Sequence, residues 1–290
     1  MLEDDSGRVR LVGDALQSVL LVTGCIIAVM GTENANGEFE VIDIKLPDLP
    51  PQPERWQHSG PAAKNGTKGA KKGQDVEMAD GSAGGGGKIA IVSGLNFSGS
   101  DASYAVELTL LLEYLLGEAL DPAAQKEISQ ISRLIIAGNS IAAERGLQAD
   151  ETSERKSHKK YGYDSSTYNA LPSQLLDDFL AELLPTIPVT MLPGPHDPAN
   201  ASLPQQPIHP AVFPRARAFS AQPQSGEPGW LDTVTNPWEG EVDGWRFLGT
   251  AGQNVDDIFK YVDSDDRLGV MEYMCRWRCC APTAPDTLCA

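Results

Sequence analysis

The alternation of apolar and polar positions divides the chain into a β-rich start and an α/β remainder. Up to residue 50 the apolar positions form short runs separated by glycine turns, which predicts strands at Arg8–Val12, Val19–Met30 and Glu38–Lys45. Such a meander is typical of a small barrel such as an OB-fold. Because three or four strands are too few to close a barrel, we expect residues 1–50 to form a partial OB-fold domain.

Residues 89–290 alternate apolar runs with amphipathic stretches, the pattern of a strand–helix–strand fold. Buried strands are predicted at Lys88–Ser93, Leu134–Ala137 and Val189–Leu192. The order implies an α/β fold with a mostly parallel sheet flanked by helices. The predicted helices are Asp101–Gly117, a second that begins at Asp121-Pro122, Ser173–Leu184, Val255–Tyr261 and Asp265–Trp277, and Trp238–Gly249 is a predicted hairpin.

Two polar stretches interrupt these patterns. Residues 51–88 are rich in proline, glycine and lysine and contain few apolar side chains, which predicts a disordered linker between the two domains. Residues 143–166 are charged and predict a surface insertion. The expected domains are therefore 1–50, for the partial OB-fold, and 89–290, for the α/β domain.

The charge and the apolar content of the chain narrow the choice of partners. With 23 basic and 40 acidic residues the net charge is -17, a surface that repels phosphate, so we expect contact with DNA only indirectly through a complex. The longest apolar run, Val19–Met30, is shorter than the roughly 20 residues that cross a bilayer, so no membrane partner is expected. The charged first residues do not resemble a secretory signal, which indicates reduced thiols in the cytosol or nucleus.

The cysteines near the end of the chain are a weak candidate for a metal site. Cys275, Cys279, Cys280 and Cys289 resemble half of such a site, but paired C-x-x-C spacing is missing. Three of them fall on or beside a predicted helix. The spacing therefore favours buried free thiols over metal ligands.

The candidate chemistry lies in the loops that follow the three predicted strands of the sheet. These loops read Gly94-Leu95-Asn96, Gly138-Asn139 and Gly194-Pro195-His196-Asp197. A two-metal phosphoesterase has the same strand-then-loop form, with roughly D-x-H, G-D and G-N-H-[DE] at these places, because two ions need bridging carboxylates and several imidazoles. The degenerate metal-site positions are Gly94, Asn96, Asn139, His196 and Asp197.

The supply of ligands is too small for two divalent ions. Of four histidines, His58 lies in the predicted linker and His158 in the predicted insertion, which leaves His196 and His209 near the sheet edge. Two imidazoles and the Asp197 carboxylate do not satisfy two ions, so no metal site, catalytic residue or cofactor is predicted. We instead expect Asp197 to accept hydrogen bonds from local backbone amides in a proline-flanked turn.

Longer stretches of the chain resemble the small, or B, subunits of replicative DNA polymerases. They are LIIAGNSI, MLPGPHDPANASLPQQPIHPAVFP, TNPWEGEVDGWRFLGTAGQNVDDIFKY and APTAPDTL, and Leu21–Pro51 resembles the end of that family's OB domain. The resemblance implies an OB domain joined to an inactivated calcineurin-like phosphodiesterase domain, hence a non-catalytic scaffold subunit in the nucleus. It also implies two partners: the C-terminal domain of the catalytic subunit, and a further accessory subunit.

Measured against that family, we expect both ends of the chain to be incomplete, lacking the start of the OB domain and the last strands of the phosphodiesterase domain. Two alternatives stay open at this point. One is an active two-metal phosphodiesterase or nuclease with atypical ligands. The other is a module that binds single-stranded nucleic acid through the partial OB-fold, although residues 1–50 carry no basic or aromatic stripe.

Overall fold

The computed structural model describes residues 1–51, 88–118, 120–142, 169–220, 229–242 and 245–288. The predicted insertion, and the predicted linker apart from its two end residues, lie outside these ranges. In chain order the strands and helices are β1 Leu2–Asp4, β2 Gly7–Val9, β3 Leu11–Val12, β4 Ala28–Glu33, β5 Phe39–Lys45, β6 Lys88–Val92, α1 Ala105–Leu116, α2 Pro122–Ile128, β7 Ile131–Ala137, α3 Leu171–Leu183, β8 Val189–Leu192, β9 Leu231–Thr233, β10 Trp238–Val242, β11 Trp245–Gly249, α4 Gln253–Ile258 and α5 Arg267–Trp277.

The chain divides into two compact units, which are described separately below. One, the sheet unit, is Gly60–Ala251; the other, the two-segment unit, combines Met1–Ser59 with Gly252–Ala290. These units differ from the domains 1–50 and 89–290 expected from the sequence. The domain boundaries at residues 50 and 89 rest on composition and remain a prediction. In the described residues no helix is both long and apolar enough to cross a membrane.

The sheet unit is built on a parallel sheet, as the sequence pattern predicts. Its strands lie in the order β6-β7-β8-β9, and each neighbouring pair is parallel. Alternate residues of the two central strands enter the core: Leu134 and Ile136 of β7, and Val189 and Met191 of β8, are fully buried. The residues of α3 that cover them are Leu176, Phe179, Leu180 and Leu183.

The ends of the helices follow local capping chemistry. The Asp121 side chain accepts a hydrogen bond from the backbone amide of Ala124 at 2.7 Å and so caps α2, and Gly117 ends α1 in the left-handed conformation. The predicted start of α1 at Asp101 is wrong, since the helix begins at Ala105. Asp101 instead accepts from the Ser103 amide at 2.9 Å, in a local turn that competes with helix formation.

The N-terminal segment of the two-segment unit has fewer strand residues than the pattern predicts. A hairpin pairs β1 with β2, and a three-stranded sheet has the order β3-β5-β4. Of the predicted strand Val19–Met30, only the residues from Ala28 onward are in a strand, β4. The reason is that Val22 packs with Val270 and Trp277 of α5, and Gly24 turns the chain with φ 78°.

The C-terminal segment of this unit is tied to the N-terminal one by polar contacts. The Arg278 guanidinium donates hydrogen bonds to the backbone carbonyls of Pro47, Asp48 and Leu49 at 2.7–3.3 Å. Pro282 approaches Gly24 so closely that a Cβ built on the glycine lies 1.8 Å from the proline carbonyl oxygen. Residues 252–288 therefore complete the packing of residues 1–51 within this unit.

Candidate functional site

The three predicted loops meet at one edge of the parallel sheet, where the carboxyl ends of β6, β7 and β8 lie side by side. The loop after β6 runs along the loop after β7 through three backbone hydrogen bonds. Gly94 N donates to Gly138 O at 3.1 Å, Asn96 N to Asn139 O at 3.1 Å, and Phe97 N to Ser140 O at 2.9 Å. This is the edge at which open α/β sheets place their ligand sites.

The Asp197 carboxylate joins the loop after β8 to the loop after β7. Its Oδ2 accepts from the Gly194 amide at 2.7 Å and its Oδ1 from the Ile141 amide at 2.9 Å. The side chain is buried, with 6% of its surface exposed. Burial raises the pKa of this carboxyl, and the backbone amides that donate to it act in the opposite direction. The only carboxylate among the degenerate positions therefore already binds two backbone amides.

Glycine permits the close approach of these loops. A Cβ on Gly194 would lie 2.4 Å from Asn139 N, and one on Gly138 would lie 2.9 Å from Gly194 Cα. Asn96 and Asn139 have φ of 50° and 53°, the left-handed region that asparagine tolerates better than most residues. The loops thus keep a tight backbone arrangement, with amide side chains where metal ligands are expected.

The position of Asn139 disfavours a charged side chain. Within the part of the chain that the structure describes, Asn139 Oδ1 and Ser140 Oγ are buried without a hydrogen-bond partner. An ionised aspartate at residue 139 would place a charged oxygen where these residues supply no donor, which is costly. Without a bound cation, this environment therefore suits a neutral amide better than an ionised carboxylate.

The surroundings of the two candidate histidines argue against a role as metal ligands. His196 and His209 are both exposed. His209 Nδ1 accepts a hydrogen bond from the Ala211 amide at 3.1 Å, at the start of a 3-10 turn. His58 and His158 lie outside the described residues. Across the residues that the structure describes, no cluster of three or more His, Cys, Asp or Glu side chains is arranged to hold a metal ion.

The cysteines differ in part from the expectation of buried thiols. Cys275 is exposed, whereas Cys279 and Cys280 are partly buried, and all three are free. Cys275 is exposed because it lies on the solvent side of α5, whose buried residues are Val270, Met274 and Trp277. Burial raises the pKa of the Cys280 thiol, which keeps it protonated and unreactive at neutral pH. Cys289 lies outside the described residues.

Two buried amides behind the site were not identified from the sequence. Gln205 Nε2 donates to the Gly194 carbonyl at 3.1 Å, and Asn236 Nδ2 donates to Gln205 Oε1 at 2.9 Å. Both side chains are 1% exposed. The signal available was the proline next to each, in LPQQP and TNPW, which marks a fixed turn. This pair binds the Gly194 carbonyl, whereas Asp197 binds the Gly194 amide.

Two family models match different parts of the chain. Residues 89–290 match the family model for the DNA polymerase alpha/epsilon B-subunit, and residues 1–44 match one described as DNA polymerase delta subunit OB-fold domain. The chain is 34% identical over 288 residues to the DNA polymerase delta small subunit of Arabidopsis thaliana, across 99% of this chain and 56% of that protein.

Two further relatives are similar to this chain over the same share of its length. Identity is 33% over 313 residues to the DNA polymerase delta small subunit of Saccharomyces cerevisiae, across 99% of this chain and 55% of that protein. It is 31% over 288 residues to DNA polymerase delta subunit 2 of Drosophila melanogaster, across 99% of this chain and 57% of that protein. The chain thus spans little more than half the length of these relatives.

Proposed function

This chain belongs to the DNA polymerase alpha/epsilon B-subunit family, and on that premise we propose that it is the small subunit of a DNA polymerase delta, acting in DNA replication. Support comes from relatives of that name that are similar across 99% of the chain. In this role the chain is a non-catalytic scaffold in the nucleus. It bridges the C-terminal domain of the catalytic subunit and a further accessory subunit.

The non-catalytic part of the proposal rests on one observation at the sheet edge. The loops keep their backbone contacts, yet Gly94, Asn96 and Asn139 stand where two-metal chemistry needs a carboxylate or an imidazole. The remaining carboxylate, Asp197, bonds to backbone amides of two loops. Such a site maintains loop geometry and lacks the groups that would activate a water molecule.

The parallel sheet supports a degenerate calcineurin-like phosphodiesterase domain as the identity of the sheet unit. Four parallel strands bring three loops to one edge, the arrangement from which such enzymes hold their two ions. A net charge of -17 supports indirect contact with DNA, because an acidic surface gains little from phosphate. The partners then supply the contacts with nucleic acid.

Co-purification tests the scaffold role. The 290-residue chain is co-expressed with the C-terminal domain of the delta catalytic subunit, and an affinity tag on that domain is used for recovery. We expect stoichiometric recovery that persists in about 0.5 M NaCl, because obligate interfaces are large and apolar. A tagged basic protein of similar size is the control, since the acidic chain could bind it through charge alone. Recovery equal to that control, from a chain folded by circular dichroism, would refute the proposal.

Hydrolysis tests the enzymatic alternative. The purified chain is incubated with bis-p-nitrophenyl phosphate and with single-stranded DNA in the presence of Mn²⁺, beside Asp197→Ala and His196→Ala variants. The proposal predicts the same background rate for all three proteins. Turnover by the parent chain that both substitutions abolish would replace the scaffold role with a metal-dependent phosphodiesterase.

A further inference from the structure

A groove between α1 and α3 in the sheet unit borders the loop after β6, and Asn96, Phe97 and Ser98 of that loop contribute to its lining. It encloses about 290 Å³ and its walls are mostly apolar. Leu108 and Leu112 of α1 form one wall, and Leu175 of α3 the other. Phe97 and Phe179 lie at the base, edge to face, with ring centroids 5.5 Å apart. The groove therefore has a fixed aromatic floor and aliphatic sides.

Large apolar side chains remain exposed on the two helices that form this groove. On α3, Leu171 is 43% and Leu175 39% exposed; these residues are four positions apart and share one face of the helix. On α1, Val106, Leu110 and Tyr114 form a stripe outside the groove, on the other face from Leu108 and Leu112, and are 68%, 58% and 49% exposed. Helix α1 thus carries apolar residues both toward the core and away from it, a pattern typical of a helix that another polypeptide covers.

Acidic side chains surround the same apolar surface. Asp101, Asp178 and Glu182 line the groove, and the carboxylate of Asp178 is also paired with the Arg215 guanidinium. Between Lys88 and Lys126 the sequence contains no Lys, Arg or His, and its charged residues are Asp101, Glu107, Glu113, Glu118 and Asp121. The complement of this surface is an apolar stripe flanked by positive charge.

We propose that the groove between α1 and α3 is a docking site for a basic amphipathic helix of another polypeptide. One apolar residue of that helix enters the groove against the Phe97–Phe179 floor, and flanking Lys or Arg side chains meet the carboxylates. A nucleic acid does not fit, because its phosphates would face those carboxylates. A second copy of this chain brings the same negative charge to the interface, which opposes self-pairing. The inference does not depend on the proposed polymerase role.

Synthetic peptides test the docking site directly. The probe is a fluorescein-labelled amphipathic helix of about 18 residues with a leucine stripe flanked by lysines, and its binding to the full chain is measured by fluorescence anisotropy. Two controls are a peptide of the same composition with a scrambled order, and one in which glutamates replace the lysines. We expect the lysine-flanked helix to bind in the micromolar range and roughly tenfold or more tightly than either control.

Two substitutions locate the site of binding. Leu175→Ser removes an apolar wall of the groove, and we expect it to weaken binding roughly tenfold or more. Leu248→Ser is the matched control, because Leu248 is also an exposed leucine of the sheet unit, at 60%, and binding should not change. Glu182→Lys should also weaken the lysine-flanked peptide and strengthen the glutamate-flanked one. Both leucine variants are checked for an unchanged melting temperature.

Three outcomes would overturn the proposal. The first is equal binding of the ordered and scrambled lysine peptides, since that indicates attraction by net charge alone. The second is unchanged affinity in Leu175→Ser. The third is a concentration-dependent dimer in sedimentation that Leu175→Ser dissociates, because the groove would then belong to an interface between copies of the chain.

Discussion

Replacing Asp197 by alanine should destabilise the sheet unit by about 2–4 kcal/mol. The substitution leaves the buried amides of Gly194 and Ile141 without acceptors, and hydrogen bonds to a charged acceptor contribute about 1.5–3 kcal/mol each. The loss is partly offset because the variant no longer buries a carboxylate, whose desolvation cost is evident from its raised pKa. A loss near 3 kcal/mol corresponds to roughly a hundredfold change in the unfolding equilibrium.

Urea unfolding followed by far-UV circular dichroism measures this loss at about pH 7. His196→Ala is the matched control, since that side chain is exposed in the same turn and should change stability by less than about 0.5 kcal/mol. Each protein is also unfolded with Mn²⁺ and with EDTA. We expect no difference between these two conditions for the parent chain, because Asp197 holds backbone and not metal.

The pH dependence gives an independent test of the same contact. Because burial raises the folded-state pKa of Asp197, the part of its contribution that depends on protonation is complete below the unfolded carboxyl pKa of about 3.9 and is lost as the pH rises through the folded value. The hydrogen bonds to Gly194 and Ile141 remain at about pH 7 and account for the loss expected in Asp197→Ala. Asp197→Asn removes this titration, so the stability difference between parent and variant should shift in favour of the variant as the pH rises from about 3 to about 7. An Asp197→Ala loss below about 0.5 kcal/mol, or stabilisation by Mn²⁺, would show that the carboxylate does not clamp the loops.

Three further substitutions test other contacts by the same urea measurement. Gly194→Ala should cost about 2–4 kcal/mol, because its Cβ would lie 2.4 Å from a backbone nitrogen that has no room to move; a cost below about 1 kcal/mol would mean the loops are not tightly packed. Gly24→Ala should cost at least as much, since it combines φ 78° with a 1.8 Å contact to the Pro282 carbonyl, and a wild-type midpoint would contradict that packing. Burial acts to raise the pKa of Asp257, but hydrogen bonds from Lys260 and two threonines hold that pKa below its usual range. The stabilising contribution of Asp257 should therefore be present above the unfolded pKa and be lost as the pH falls through the folded pKa. Asp257→Asn should reduce this loss of stability at acid pH.

The elements of the sheet unit could be predicted from the sequence because their signals are local. Val189–Leu192 is a short apolar run bounded by proline on both sides, and it is β8 to the residue. Asp121 followed by proline marks the start of α2, where the side chain caps the helix. The strand–helix alternation was then enough to give a parallel sheet and three loops at one edge.

The features that could not be predicted depend on contacts between residues far apart in the sequence. The stretch from Val19 is apolar because Val22 packs against α5, a helix about 250 residues away in sequence, and not because it is a strand. Gln205 binds the loop after β8 at the Gly194 carbonyl and Asn236 binds Gln205, and no periodic pattern in the sequence indicates such contacts. The three loops could be located from the sequence, whereas the identity of the two backbone amides bound by Asp197 required coordinates.

The discontinuous make-up of the two-segment unit has a consequence for the order of folding. Residues 1–51 are synthesised before the sheet unit, and residues 252–288, which carry Arg278 and Pro282, are synthesised after it. The sheet unit is continuous in sequence, so all its strands are made before residues 252–288. It can therefore fold while residues 1–51 still lack their contacts with residues 252–288. Once it has folded, fewer free residues separate the two segments, and the entropy lost on joining them is smaller. The two-segment unit is thus expected to complete its packing after the sheet unit, because residues 1–51 gain their contacts only once residues 252–288 have been made.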